Sequence, residues 1–349
     1  MSADGSLRAN VRLLGDLLGR VLVEQDGEGL LEDVERLRAL ARGAREGGPR
    51  EEVREAASRL TPDRRAAVLR AFALFFQLVN IAEQHHRIRR RREYELEGTV
   101  PNESVAEALG RLADAGVGHE ELVAAGSRLS VELVLTAHPT EATRRSVLEA
   151  HRRVAALLAQ LDDVTLPPSG RRRLEDALAE EITILWQTDE VRSKRPKVVD
   201  EIRRGLWFFE QSFWDAVPEL DRSLAGRLGT GVVPLRFGTW IGGDLDGNPH
   251  AGPDTIDDAL ARARALALTL YRQELTALGA AWGMSTTVVG RVPELGGEDE
   301  PFRARLVEIW RRLADDGYPD GAALLADLDG LDEILRAHRG ERIAGGGLA

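Results

Sequence analysis

The chain has 349 residues, 43% hydrophobic and 30% charged, enough for a sizeable core and, by length, about two domains. It contains no cysteine, which excludes a disulfide framework, a thiolate metal site and a cysteine nucleophile and fits a reducing compartment. A net charge of −11 and a pI near 5.3 argue against nucleic acid as the main partner, but a local arginine pocket could still hold a small anionic substrate.

The opening Met1-Ser2-Ala3-Asp4-Gly5 lacks the basic and apolar regions of a secretory leader, and no run approaches the length needed to span a bilayer. The expectation is a soluble cytoplasmic protein with neither nucleic acid nor membrane as partner. All but two of the 47 basic residues are arginine, the lysines being Lys194 and Lys197. A GC-rich genome accounts for that bias.

Residues 6–24 read as an amphipathic helix with Leu7, Val11, Leu14, Leu18 and Val21 on one face. Residues 28–59 form a second helical zone, interrupted near Gly47-Gly48-Pro49. Thr61-Pro62-Asp63 supplies an N-cap, a proline at the first helical position and an acid in the first turn. The helix that follows buries Val68, Phe72, Phe75, Phe76 and Val79, then runs into His85-His86 and an arginine run ending at Arg92. Adjacent histidines on a helix point about 100° apart, so they read as hydrogen-bonded or solvated rather than as joint ligands. The arginine run reads as a solvated face, since Glu93, Glu95 and Glu97 follow it. Residues 98–102 are a loop, and Ser104 caps a helix that stops near Gly116-Val117-Gly118. Another helix leads to a strand.

That strand opens the first motif, Val131-Glu132-Leu133-Val134-Leu135-Thr136-Ala137-His138-Pro139-Thr140-Glu141-Ala142-Thr143-Arg144-Arg145. Alternating β-branched and apolar residues predict a strand over 131–136. Thr140 is the expected N-cap of a helix with apolar positions Val147, Val154, Leu158 and Leu161. His138, biased toward an extended conformation by Pro139, sits at the carboxyl end of the strand, where α/β folds place their chemistry. A hydrogen-bonded structural role is the competing reading for His138. His151, on the apolar face of the helix, reads as a satisfied core histidine.

Leu166-Pro167-Pro168-Ser169-Gly170 marks a break. Two long helices are predicted, about 171–188 and about 198–216, the second closed by Pro218. The polar, basic connector Gln187–Pro196 could touch an anion, though a solvated loop is the simpler reading. Trp207, Phe208, Phe209, Phe213 and Trp214 stand at core spacing. The second motif is Val232–Pro249, in which a short strand near 235–241 ends in Gly242-Gly243-Asp244-Leu245-Asp246-Gly247-Asn248-Pro249. Its glycines permit positive φ and close backbone approach. Asp244, Asp246 and Asn248 direct oxygen atoms to one spot, but Pro249 and Thr255 fall where a calcium loop needs glycine and glutamate. Helices follow at 255–279, Pro301–Leu313 and Ala322–Ala337, and the sequence given ends in a glycine-rich segment at Ala349. No internal repeat is found.

Thr136-Ala137-His138-Pro139-Thr140-Glu141 followed by Arg144-Arg145 resembles the first signature of the phosphoenolpyruvate carboxylases. Gly242–Pro249 resembles a second, which in that family reads Gly-Gly-Asp-Arg-Asp-Gly-Asn-Pro. Leu245 replaces the family's arginine and puts in doubt any salt bridge made there. Residues 6–24 and the segment Asn80-Ile81-Ala82-Glu83 through Arg90 are also similar to the bacterial members. The resemblance implies a reaction that joins phosphoenolpyruvate and bicarbonate to give oxaloacetate and phosphate. His138 would be the catalytic base, with Arg144, Arg145, Asp244, Asp246 and Asn248 supporting the active site. It also implies Mg²⁺ or Mn²⁺ as cofactor, with no metal ligand in this chain because the family's ligands would lie beyond Ala349. A homo-oligomer, a tetramer in the family, is implied as well.

The implied fold class is mainly α: the N-terminal part of a helix-rich (β/α)8 TIM-barrel enzyme, with the barrel incomplete in this chain. Only two candidate barrel strands are present, against about eight for closure. The expected organisation is a helical region over 1–125 and the start of the barrel over 126–349. The chain is expected to be an N-terminal fragment, inactive alone. Two other classes compete: a non-catalytic helical scaffold or interaction protein derived from the enzyme, and a metal-binding module using Asp244 and Asp246.

Overall fold

A computed structural model describes residues 3–136, 143–189, 197–228, 235–315 and 317–347. Helices dominate. In chain order they begin with α1 (Ala3–Asp26), α2 (Glu28–Arg45), α3 (Arg50–Ser58), α4 (Pro62–Leu96), α5 (Val105–Asp114) and α6 (His119–Gly126). Strand β1 (Val131–Leu135) precedes α7 (Arg145–Leu161), α8 (Pro168–Gln187), α9 (Val198–Phe208) and, after a π-helical turn at Phe209–Phe213, α10 (Trp214–Leu228). Strand β2 (Leu235–Thr239) leads to α11 (Pro253–Ala281), α12 (Thr286–Val289), α13 (Pro301–Ala314), α14 (Gly321–Ala337) and α15 (Glu341–Gly347). The chain forms two compact units that interleave in sequence, one of residues 1–116 and 139–195, the other of 117–138 and 196–349.

The first unit is a helical bundle. α1 packs against α2, α4 and α8 and buries Leu14, Leu17, Leu18, Val21 and Leu22; of the predicted stripe, Leu14, Leu18 and Val21 are buried, while Leu7 and Val11 are part-buried. α2 and α3 break at Gly47, whose φ of 105° is open only to glycine at low cost. Thr61 caps α4 by accepting from the Arg64 amide at 3.3 Å, with Pro62 at the first helical position. α4 then buries Val68, Ala71, Leu74, Leu78, Ile81, Ala82 and His85.

Two expectations need correction here. Phe76 is 60% exposed, because the buried stripe follows 71, 74, 78 and 81, and Phe76 lies about 100° or more off that line. α4 is also long and apolar enough, by length and composition, to span a bilayer, although no such run was expected. Arg70 and Gln77 interrupt the apolar run in sequence, and in the fold α4 is a core helix of this unit. The helix α7 begins at Arg145 with Arg144 as its N-cap residue; the cap expected at Thr140 lies outside the described residues.

In the second unit α11 packs against α13 and α9. The larger core collects Leu275, Trp282, Phe302, Leu306, Ile309 and Leu335. A smaller one joins Val198 and Ile202 of α9 to Ile241. Pro218 does not close a helix, as expected, but lies inside α10. The π turn at 209–213 stands just upstream of it. That turn also sets Phe209 and Phe213 against Phe237 of β2, with ring centroids at 4.9 and 5.1 Å. The short α12, the 3-10 turn at Pro293–Leu295 and α15 were not foreseen, being too short to show a periodic face.

Candidate active site

β1 and β2 pair in parallel, in register from Val131 opposite Leu235 to Leu135 opposite Thr239. The Trp240 amide donates to the Leu135 carbonyl at 2.9 Å, extending the ladder by one bond. Strands that run parallel and end level release their following segments at the same end, the carboxyl end where α/β folds build their sites. The two sequence motifs therefore depart side by side. Thr136 is the last described residue of the first motif; His138 and Thr140, within 137–142, lie outside the described residues, as does the 190–196 part of the basic connector.

The second motif is a series of tight turns. The Gly243 amide donates to the Trp240 carbonyl at 3.0 Å, Leu245 to Gly243 at 2.9 Å and Asn248 to Asp244 at 3.0 Å. Gly242 has φ 87°, and a Cβ there would come within 3.2 Å of the Thr255 carbonyl oxygen and 3.1 Å of Ile202. The Asp244 carboxylate folds over Gly247 so closely that a Cβ would meet its Oδ2 at 2.5 Å. Asn248 Oδ1 accepts from the His250 amide at 3.0 Å, the side-chain turn typical of asparagine. Thr255, in the first turn of α11, accepts from the Gly252 amide at 2.9 Å and donates to the Gly242 carbonyl at 2.7 Å. It thereby staples the glycine turn to the helix start. In the sequence Thr255 stands out only as the residue where a calcium loop needs glutamate. Its place two residues after Pro253, at a helix start, was the signal available.

Asp244 is part-buried, while Asp246 is exposed and Leu245 is 57% exposed. Asp244, Asp246 and Asn248 are thus held on one turn at the mouth of the strand pair. Arg144 and Arg145 belong to the other compact unit. There Arg145 Nε donates to Glu149 Oε1 at 2.7 Å, an (i, i+4) pair that offsets a cation at a helix N-terminus. Among the described residues no three His, Asp or Glu side chains gather as a metal site requires, so the described residues do not fit a resident divalent metal. The expectation that metal ligands would lie beyond Ala349 concerns positions past the sequence given, and Leu348 and Ala349 themselves lie outside the described residues.

Three other histidines make structural contacts. His85 is buried, with Nε2 2.8 Å from Asp162 Oδ2 at the end of α7. Arg89 joins the same carboxylate at 3.3 Å and reaches His86 Nδ1 at 3.0 Å. His151 meets Gln77 Oε1 at 2.9 Å, and burial pushes its pKa down from its ordinary value.

Against known proteins, the phosphoenolpyruvate carboxylase family model matches residues 7–317. The chain is 37% identical over 346 residues to a phosphoenolpyruvate carboxylase of Pseudomonas paraeruginosa, covering 96% of this chain and 39% of the relative. It is 39% identical over 335 residues to that of Ectopseudomonas mendocina, covering 93% and 38%. To that of a Marinomonas species it is 36% identical over 352 residues, covering 95% and 40%. The chain thus spans about two fifths of the length of the curated relatives it matches.

Proposed function

The chain belongs to the phosphoenolpyruvate carboxylase family, and on that premise we propose that it supplies part of the active site of a cytoplasmic, homo-oligomeric enzyme joining phosphoenolpyruvate and bicarbonate to give oxaloacetate and phosphate. One observation carries this reading: the two family motifs leave the same end of a parallel strand pair. In this reading β1 and β2 are two adjacent strands of a (β/α)8 barrel that begins at residue 126, after a helical region over 1–125.

In the proposed reaction a bicarbonate oxygen attacks phosphorus and the bond from phosphorus to the enol oxygen breaks, leaving carboxyphosphate and an enolate. An imidazole nitrogen of His138 takes the carboxyphosphate proton, a role suited to a group whose unperturbed pKa lies near working pH. Carboxyphosphate then divides into CO₂ and phosphate, and the enolate carbon captures CO₂. Arg144 and Arg145 are assigned to supporting the active site. Asp244, Asp246 and Asn248 are assigned to shaping the mouth of the strands. The resemblance also implies Mg²⁺ or Mn²⁺. The described residues offer no fitting donor set, and no step is assigned here to a metal.

The test is oxaloacetate formation by the purified chain, alone and mixed with a separately produced polypeptide carrying the part of the Pseudomonas paraeruginosa relative that this chain does not match. The proposal expects turnover only in the mixture. A stable complex of the two polypeptides without turnover would favour the rival reading, a non-catalytic helical scaffold derived from the enzyme.

A further inference from the structure

On the first unit, α1, α2 and α4 leave an open trough of about 690 Å³. Its floor is apolar, formed by Leu7 and Val11 of α1, Leu31 and Val34 of α2, and Phe72 and Phe75 of α4. Gly15 and Gly19, one turn apart on α1, lie beside the floor. A Cβ at Gly15 would make ordinary contact with the Phe75 ring at 3.5 Å, and one at Gly19 with Leu31 at 3.6 Å. The α1 residues lining it run from Leu7 to Leu22, about 22 Å along a helix at 1.5 Å per residue.

The rims are basic. Arg8 and Arg12 stand one turn apart on α1, and Arg38 and Arg42 one turn apart on α2. All four are exposed. The acidic residues on the same lining are Asp16 and Glu35, and Glu35 is paired with Arg38 at 2.6 Å. A local excess of positive charge thus borders an apolar strip on a chain whose net charge is −11.

We propose that this trough is the docking site for an acidic amphipathic helix of a partner protein. The trough runs along about four turns of α1 over an apolar floor, the length and character of a groove that receives the buried face of a helix. Arginine pairs at (i, i+4) on both banks match carboxylates at (i, i+4) flanking that face, each pair able to form charge-assisted hydrogen bonds. A small anionic amphiphile has one head group and cannot meet guanidinium groups on both banks. Nothing in this proposal depends on the carboxylase reading.

The probe is a fluorescein-labelled synthetic peptide of about 18 residues, helix-forming, with leucine at i, i+3, i+4 and i+7 and glutamate beside that stripe. Its counterpart carries lysine in place of glutamate. Anisotropy titration of the intact chain should show saturable binding of the acidic peptide, weakened by salt, and little binding of the basic one. The double variant Arg12→Glu, Arg42→Glu should bind the acidic peptide about tenfold more weakly and the basic peptide more tightly than the parent does. A variant that merely misfolds would lose both, and an unchanged far-ultraviolet circular dichroism spectrum and melting curve exclude that. Equal binding of both peptides, or of the acidic peptide by parent and variant, would overturn the proposal. So would tighter binding of dodecanoate than of the peptide, or a concentration-dependent dimer that the double variant abolishes, which would make a second copy the occupant.

Discussion

Gly242 carries both constraints that make a glycine irreplaceable. Its φ of 87° is costly for a residue with a Cβ, and that Cβ would press on Ile202, Ala259 and the Thr255 carbonyl at 3.1 to 3.2 Å. Gly242→Ala should therefore cost about 1–3 kcal/mol, whereas Gly243→Ala, whose Cβ meets nothing closer than 3.9 Å, should cost far less. Paired thermal melts of the two variants check this, and equal costs would show that the turn can shift. His138 invites a different measurement, made on the complemented enzyme. If it is the base, His138→Asn should lower oxaloacetate formation by about 10²–10⁴-fold while bicarbonate-dependent phosphate release continues, with pyruvate as the other product. A structural His138 would instead lower both yields together, along with stability. Assaying phosphate and oxaloacetate in parallel decides between the two.

At the level of elements, the long helices were legible because their buried stripes repeat over many turns. α1 and α11 lie within a few residues of their predicted ends, and α4 starts at its predicted cap. The pairing of 131–135 with 235–239 was legible only through the family resemblance, since neither strand alone names its partner. Strand β1 also keeps apolar side chains in solvent, Leu133 at 45% and Val134 at 44% exposure on opposite faces, which alternation alone would not suggest. Of the site, the glycine turn could be read from composition, but the Thr255 staple could not, because it joins residues 13 apart through one hydroxyl. The knot at Asp327 of α14 was equally invisible. Its carboxylate accepts from Arg305 and Arg312 of α13 and from the Tyr318 hydroxyl, and Arg312 also stacks over the Tyr318 ring at 4.1 Å. Burial first, then Asp327, pushes the Tyr318 phenol up to about 12. The folded chain thus holds this proton above the pH, about 10, at which the unfolded chain releases it. The associated stability is fully present below pH 10 and is lost as pH rises toward 12. Tyr318→Phe should flatten that alkaline loss in urea titrations taken across pH 9 to 11. An unchanged slope would mean that another group sets it.

For the whole molecule, two compact units with separate cores predict unfolding that is not a single two-state event. Leu78 of α4 is 0% exposed and Phe302 of α13 is 1% exposed, each deep in its own core. Truncating either leaves a cavity with little room to collapse, so Leu78→Ala should cost about 2–5 kcal/mol and Phe302→Ala about 3–5 kcal/mol. The informative quantity is where each loss appears. Calorimetry of the parent should resolve two transitions or one broadened transition. Leu78→Ala should lower one component and leave the other in place, and Phe302→Ala should do the reverse. Because sites with no shared partners act additively, the double variant should lower both by the single-variant amounts. If each single variant instead moved one sharp transition as a whole, with calorimetric and van't Hoff enthalpies equal, the two cores would be energetically coupled and the division into units would describe geometry alone.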